Sequence, residues 1–592
     1  MLGRPWRARL NSQGEAQALA MAQMHGTGDL LARVLAGRGI APENVQAYLE
    51  PKLRSLLPDP YVLNAMEAAA QRIAQAIIAG ETVAVFGDYD VDGAASTALL
   101  YDYFCACGTP CLTHIPDRIF EGYGPNPEAI RKFSRAGASL LITADCGTMS
   151  HAVLAEAVRL GLDPIVLDHH QAPEALPPAI VVNPNRQDDI SGLGYLCAAG
   201  VVFLTLVAVQ RLLRGKGFFS ASRPEPDLLA GLDLVALATV ADVVPLKSLN
   251  RAFVCQGLAL MQARGRPGLA ALCDIAGLSG PPTPYHLGFL IGPRINAGGR
   301  IGNAALGTRL LSLKDAAEAQ RIAGELDRLN KERQEIERVT LEEAEAQVLA
   351  GAASESRAAI LVAGEGWHPG VAGLVAARLK EKFRRPAFAI AFDARGSGTG
   401  SGRSIAGVDL GCAVRAAAET GILLKGGGHA MAAGLSIARE RLDEFSGFLD
   451  KTLAAKVAAA QAGEALLIDA ALNAAAALSG LLSGLARAGP YGAGNPEPVF
   501  AFPAYRLLEA AEIGSGHVRF RAVAGDGAKI EGIAFRAASE LLGRALYAAR
   551  GTAVHLAGTL APDHLRGAER VQLRLLDLSP AGGQGGGPIP GT

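Results

Sequence analysis

The chain has 592 residues, too many for a single hydrophobic core, so several domains are expected. Half of the residues are hydrophobic and 19% are charged, an ordinary globular composition that excludes a disordered or fibrous protein. Lys and Arg total 56 against 57 Asp and Glu, a net charge of -1; coating by nucleic acid through bulk charge is excluded, a local basic groove is not.

In chain order, residues 1–60 read as helical pieces without a catalytic-looking cluster. The opening MLGRPWRARLNSQGEAQ is basic but lacks an apolar core, so it is not a signal peptide. From Glu81 onward, strand-length apolar runs alternate with Ala/Leu segments at helical spacing: TVAVFGD (82–88), SLLITAD (139–145) and DPIVLD (163–168). That alternation predicts a parallel sheet with helices on both faces. The eight cysteines include no paired CxxC, and Cys105, Cys107 and Cys111 read as thiols of a helical stretch. The longest apolar run, Leu196 to Val209, falls short of a membrane span. A cytosolic, reduced protein is expected.

From Ser312 to Ala350 the chain has no proline and is rich in Ala, Glu, Leu and Arg. It predicts one long helix opening with a capping box at Ser312 and Asp315 and stopping at Gly351, with Gly324 as a point of interruption. Asp327/Lys331 and Arg333/Glu337 are opposite charges four apart and predict a solvated face. A second, smaller α/β lobe follows from the strand at 358–364 to about 460. Short alternating runs after GPYGAGNPEP (489–498) then predict a small β-barrel of the oligonucleotide-binding kind. Phe500, Phe502, Tyr505 and Phe520 are expected mostly to fill that barrel rather than to stack bases, and His517, Arg519 and Arg521 to form a basic outer face. The tail at 581–592 reads as disordered.

The informative feature is where the acids fall. Asp88, Asp90 and Asp92 follow the first strand, Asp145 ends the second, and Asp168 ends the third just before His169 and His170. Carboxyl ends of parallel strands share one crevice. Asp242, in LATVADVVPL, is a further acid in apolar surroundings, where a lone charge needs a partner or a metal. Carboxylates that converge repel one another, and only a cation relieves this without protonating them. Oxygen-rich ligation with imidazole suits two Mn2+ or Mg2+ ions and a two-metal phosphoester hydrolase. A calcium loop is excluded, because position 12 of such a loop, counted with Asp88 as position 1, is Leu99 rather than Glu. No GxxxxGK[ST] occurs, and Gly122 and Gly124 continue to Pro127, not to a dinucleotide fingerprint.

GDYDVDG (87–93), TADCG (143–147), DHH (168–170) and ATVADVVPL (238–246) resemble the four motifs of the DHH phosphoesterase superfamily. PDRIFEGYG (116–124), IGPRINAGGR (291–300), WHPGVAG (367–373), GSGRS (400–404) and GGGHAMAAG (426–434) extend the resemblance to the RecJ-type exonucleases. It implies a DHH domain at 61–310, a connecting helix at 311–352, a DHH-associated domain at 353–460 and an OB-like domain at 461–580. It also implies that Asp90, Asp92, Asp145, His169 and Asp242 hold metal, with Asp145 bridging two ions, His170 facing the phosphate and Asp88 either a ligand or a residue that orients one. Phe86 stands where many of the family carry His. Arg118, Arg300, Ser401 and Arg403 are implied to grip a 5′ end, Arg294 and Arg300 to flank a glycine-rich turn, and Ser401 and Arg403 to sit in an anion-binding nest. His429 would reach the substrate from the GGGH loop, and His368 is a helix cap or a phosphate contact.

The resulting expectation is a monomeric 5′→3′ exonuclease of single-stranded DNA in repair and recombination, with single-stranded-DNA-binding protein as its partner. The strand would run between the lobes and its trailing part along the barrel. Two rival expectations are a phosphodiesterase for short oligonucleotides or cyclic dinucleotides, and a non-catalytic DNA-binding scaffold.

Overall fold

The computed structural model describes residues 4–350, 357–477, 479–563 and 570–582; Gly351 and all but the first two residues of the expected tail at 581–592 lie outside the described residues. The chain divides into two compact units, one of 58–244 and 253–463, the other of 1–57, 245–252 and 464–592.

The first lobe of the larger unit is built on five parallel strands in the spatial order Cys111–His114, Thr82–Gly87, Ala138–Ala144, Asp163–Leu167, Ile180–Val182. The central strands are apolar almost throughout because both faces are covered. Helices Pro127–Arg135 and His151–Arg159 pack with Ala84, Phe86, Leu141 and Val166. Helices Val91–Ala106 and Ala198–Gly215 cover the other face. Most of the run expected to stop short of a membrane span lies in the second of these helices, which continues to Gly215. Its mean hydropathy of 1.5 and 18 residues would suit a span, but 67% of it is buried. It is apolar all round because it is a core helix.

The expected connector is the helix Ala316–Ala350, unbroken at Gly324 and roughly 50 Å long. Asp315 caps it by accepting from Glu318 N at 2.8 Å, whereas Ser312 ends the preceding helix and donates to Thr308 O. A solvated face is present and carries Arg321, Arg328, Lys331, Glu332, Glu335 and Arg338, but three of the four residues expected on it turn inward. Asp327, Arg333 and Glu337 are buried, because the helix packs along Pro267–Ile275 and Gly292–Ile301 of the first lobe and then along Pro369–Phe383 of the second. The i,i+4 pairs do form: Arg333–Glu337 lies inside the packing, whereas Lys331 reaches Asp327 from solvent.

The second lobe has a five-stranded sheet ordered Lys425–Gly428, Ala432–Ala438, Ser397–Arg403, Ala387–Phe392, Ile360–Glu365. Only the last two strands are parallel. GTGSGR, expected to be a nest, is the central strand; Gly400 and Gly402 leave room for Ile390 and Phe388 of the neighbouring strand.

In the other unit, strands Phe500–Ile513, His517–Val523, Lys529–Ala534, Val571–Pro580 and Ala553–Pro562 close into a barrel through pairing of the first with the last. Phe500, Phe502, Tyr505 and Phe520 are all buried in its core, so none of the four is free to stack a base. Arg519 and Arg521 face outward, but Arg521 lies 3.3 Å from Glu531 and 3.6 Å from Glu509, so the face is mixed rather than basic. The N-terminal helices Ser12–His25 and Asp29–Ala36 share this core, and Trp6–Ala8 pairs with Leu466–Ile468.

Candidate active site

Strand register assembles the acids. Gly87 pairs with Ala144 and Ala144 with Leu167, so the next residues, Asp88, Asp145 and Asp168, emerge side by side. Their backbone amides continue the ladder: Asp88 N donates to Ala144 O, Asp145 N to Leu167 O and Asp168 N to Val182 O. Asp145 turns out of its strand at φ 63°, a left-handed conformation costly for a residue with a side chain and common where function requires it.

Two more acids come from helix ends. Asp90 caps Val91–Ala106, accepting from Asp92 N at 2.9 Å and Gly93 N at 3.1 Å. Asp92 accepts from Ala198 N and Ala199 N at 2.7 and 2.8 Å, at the N-terminus of the core helix, where the helix dipole favours an anion. Asp242 sits at the opposite kind of end, the C-terminus of Leu232–Ala241, where a carboxylate is unfavourable without a cation.

His169 Nε2 lies 3.4 Å from Asp145, 3.6 Å from Asp242 and 3.8 Å from Asp92. Three overlapping sets have donor atoms within 4.8 Å of one another: Asp145, His169 and His170; Asp92, His169 and Asp242; Asp88, Asp90 and Asp145. Burial, then the charges of Asp92 and Asp90, push Asp145 and Asp242 upward, Asp242 to about 9. Burial and Asp90 push Asp88 up as well. Asp88 Oδ1, Asp145 Oδ1 and His169 Nε2 are buried with no hydrogen-bond partner among the described residues. Buried acceptors of this kind are rare unless a ligand completes them. The donor set therefore fits divalent cations of the oxygen-preferring class, with Asp145 belonging to two of the three sets. Phe86 is buried in the sheet's apolar cluster and contributes no donor atom.

Asp168 behaves differently. It accepts from Thr148 N and Oγ, from His169 N, and from His170 N and Nδ1. Burial would raise it, but these bonds hold it below the usual carboxylate range. Burial likewise opposes charge on His170, and the Asp168 bond overcomes it, raising His170 to about 9. His170 thus carries a proton at neutral pH. Asn183 bonds Thr148 Oγ and His170 O, and Tyr123 Oη lies 3.3 Å from both His170 Nδ1 and Asp145 O. Sequence reasoning placed Asp168 at a strand end without a role, and it missed Thr148, Asn183 and Tyr123. Only the strand-end position of Asp168 was a signal.

From the second lobe, His429 stacks on His170 with ring centroids 5.8 Å apart. Arg118, Arg300 and Arg403 gather nearby. Arg118 lies over the Tyr89 ring at 5.0 Å, and burial followed by Arg118, Arg333 and Arg403 lowers Arg300 to about 10. Burial and Arg118 lower Arg403. Among the described residues, Arg300 and Arg403 donate to backbone carbonyls, of Gly370 and Gly402. A cluster of half-buried cations that repel one another, with no carboxylate in hydrogen-bond contact among the described residues, suits an anion. Ser401 and Arg403 both lie against Gly373 of the helix Pro369–Phe383, which His368 caps by accepting from Gly370 N at 3.1 Å.

Arg294 does not join them. It is committed to Asp327 at 2.9 Å, and the segment expected to be a glycine-rich turn is the helix Gly292–Ile301. Its glycines serve close packing: a Cβ on Gly299 would lie 2.4 Å from Tyr89 O.

Comparison with known proteins agrees with this geometry. Residues 82–239 match the DHH family N-terminal domain, 355–455 the DHHA1 domain and 468–577 the RecJ OB domain. The chain is 36% identical to the single-stranded-DNA-specific exonuclease RecJ of Dickeya dadantii, over 93% of this chain and 96% of that protein. It is also 36% identical to the RecJ of Escherichia coli, over 86% and 89% respectively. The crystal structure of Thermus thermophilus RecJ in complex with Mn2+ superposes with a TM-score of 0.78 at 32% identity, covering 98% of this chain and 80% of that one. The Mg2+ complex of the same protein gives a TM-score of 0.73. By sequence along nearly its whole length, and by fold, the chain belongs to the RecJ family of single-stranded-DNA-specific exonucleases.

Proposed function

We propose that the protein is a metal-dependent 5′→3′ exonuclease that degrades single-stranded DNA to 5′-mononucleotides. The observation that carries the reading is the pairing, within one compact unit, of an acidic cluster with a cluster of mutually repelling arginines. The first suits hydrolysis of a phosphodiester, the second suits an anchored terminal phosphate. Asp88, Asp90, Asp92, Asp145, His169 and Asp242 would hold Mn2+ or Mg2+. Cations bound there would ease deprotonation of water and neutralise charge on the phosphate. His170, kept protonated and oriented by Asp168, donates to a phosphate oxygen as negative charge builds up there. Arg118, Arg300, Ser401 and Arg403 hold the 5′ phosphate, which fixes the register of the scissile bond and hence the direction of travel. His429 closes on the nucleotide from the second lobe. A cytoplasmic monomer acting in repair and recombination beside single-stranded-DNA-binding protein fits this activity.

Single strands labelled at the 5′ or the 3′ end, incubated with Mn2+, test the reading. The 5′ label should leave first as a mononucleotide, and blunt duplex should persist. Asp145→Ala should abolish turnover while strand binding, measured by anisotropy, remains. Early release of the 3′ label, or no hydrolysis by the parent, overturns the assignment.

A further inference from the structure

Between Asp274 and Asp315 the chain contains no carboxylate side chain. In the middle of this stretch lies a π-helical turn, His286–Ile291, a rare geometry that recurs at functional sites. Just before and within it, Tyr285 and Phe289 stack on each other, with ring centroids 5.1 Å apart and planes 24° from parallel. The widened turn brings residues four apart almost into line. Both rings stay in solvent, 58% and 69% exposed, so neither fills a core.

The element that carries them is anchored on the acidic centre from two directions. Leu287 and Ile291 are buried. A Cβ on Gly288 would lie 3.5 Å from Val240, and one on Gly292 would lie 3.4 Å from Ala241, the two residues before Asp242. Further along, Asn296 accepts from Val91 N at 3.1 Å, and Gly299 abuts Tyr89. The aromatic pair therefore stands on a support fixed both to the turn that bears Asp242 and to the loop that bears Asp90.

We propose that Tyr285 and Phe289 form a stacking platform for bases of the single strand next to the acidic centre; this rests on the nuclease reading above. Every base presents a π face, so stacking on an aromatic is indifferent to sequence, as an exonuclease must be. The missing carboxylates leave nothing on this segment to repel a phosphate backbone. Duplex bases are already stacked on each other and cannot use such a platform, which adds to the preference for single strands.

The test is a cycle between protein and substrate, using the full chain, Mn2+ and 5′-phosphorylated single strands in which an abasic residue replaces each of the first six bases in turn. For the parent, an abasic residue at the platform position should raise KM roughly tenfold. Tyr285→Ala/Phe289→Ala should raise KM on the intact strand by a similar factor and show no further penalty at that abasic position. Tyr285→Phe/Phe289→Tyr should behave as the parent. A double-alanine variant that keeps the parent's KM, or keeps the abasic penalty, overturns the platform while the nuclease reading stands. A parent that cleaves no strand overturns both.

Discussion

Asp88, Asp145 and Asp242 all hold protons in the cation-free protein beyond the point where free carboxylates lose them, because burial and neighbouring acids disfavour their charge. Stability rises with pH only where the unfolded chain binds more protons than the folded one. Here the inequality is reversed between the ordinary value of 3.8 and about 9 for Asp242, so without cations stability falls as pH rises through that window. Cations bound at these carboxylates would replace those protons. Chelation should therefore lower the melting temperature, by more at pH 8 than at pH 5, and Mn2+ should restore it; calorimetry with and without chelator checks this, and an equal loss at both values would contradict it. Arg403 offers a second test at this scale. Its half-buried guanidinium lies beside Arg118 and, among the described residues, donates to Gly402 O and meets no carboxylate, so Arg403→Ala relieves repulsion rather than breaking a salt bridge. Preference for a 5′-phosphorylated over a 5′-hydroxyl strand should drop by roughly tenfold or more, in line with loss of one charge-assisted phosphate contact, with little change in melting temperature. Asp88, Asp145 and Asp168 were legible because each follows an apolar run of strand length. Thr148 and Asn183, which hold Asp168 and His170 in place, were not, since nothing in the sequence marks a lone Thr or Asn as part of a network.

At the level of elements, strands and the long helix were legible from periodicity, while glycine-rich segments were misread in a consistent way. Read as conformational freedom, glycine predicts a turn at 291–300 and a nest at 398–404. In both places it is absence of bulk that matters. Gly298 and Gly299 let the helix Gly292–Ile301 lie against Asn303 and Tyr89, and Gly400 and Gly402 let a strand cover Ile390 and Phe388. Periodicity cannot separate these uses, because the partner that needs the space is remote in sequence. The long helix shows the same limit: opposite charges four apart predicted solvent, yet Asp327 is buried to receive Arg294. Gly299→Ala tests the packing role. The new methyl would meet Tyr89 O at 2.4 Å, and backbone cannot step aside as a side chain would. A loss of about 1–3 kcal/mol is expected, as for other overpacked sites, with hydrolysis reduced because Tyr89 and Asp90 share a loop. A turn in place of the helix would tolerate alanine; denaturant titration decides.

At the scale of the whole molecule, the N-terminal segment was read as a separate helical piece, whereas its core is common with the barrel at the other end of the chain. Met21 and Leu35 are buried with Phe500 and Phe520, and no local pattern announces a partner more than 400 residues away. One carboxylate ties the two together. Asp469, itself buried, accepts from Arg9 Nε and Arg38 Nη1 at 2.9 Å each, while its other oxygen accepts from Val499 N. Removing the shared partner of a buried ionic group leaves the remaining charge uncompensated, which typically costs about 3–5 kcal/mol. Here two guanidiniums and one amide would lose their acceptor at once. Asp469→Ala should consequently lose hydrogen-exchange protection in both 4–57 and 464–582, although the substituted position lies in only one of them. The parallel sheet at 82–182 belongs to the other compact unit and should keep its protection. If exchange rises only in the barrel strands, the N-terminal helices hold themselves together without it, and the shared core contributes little to their stability.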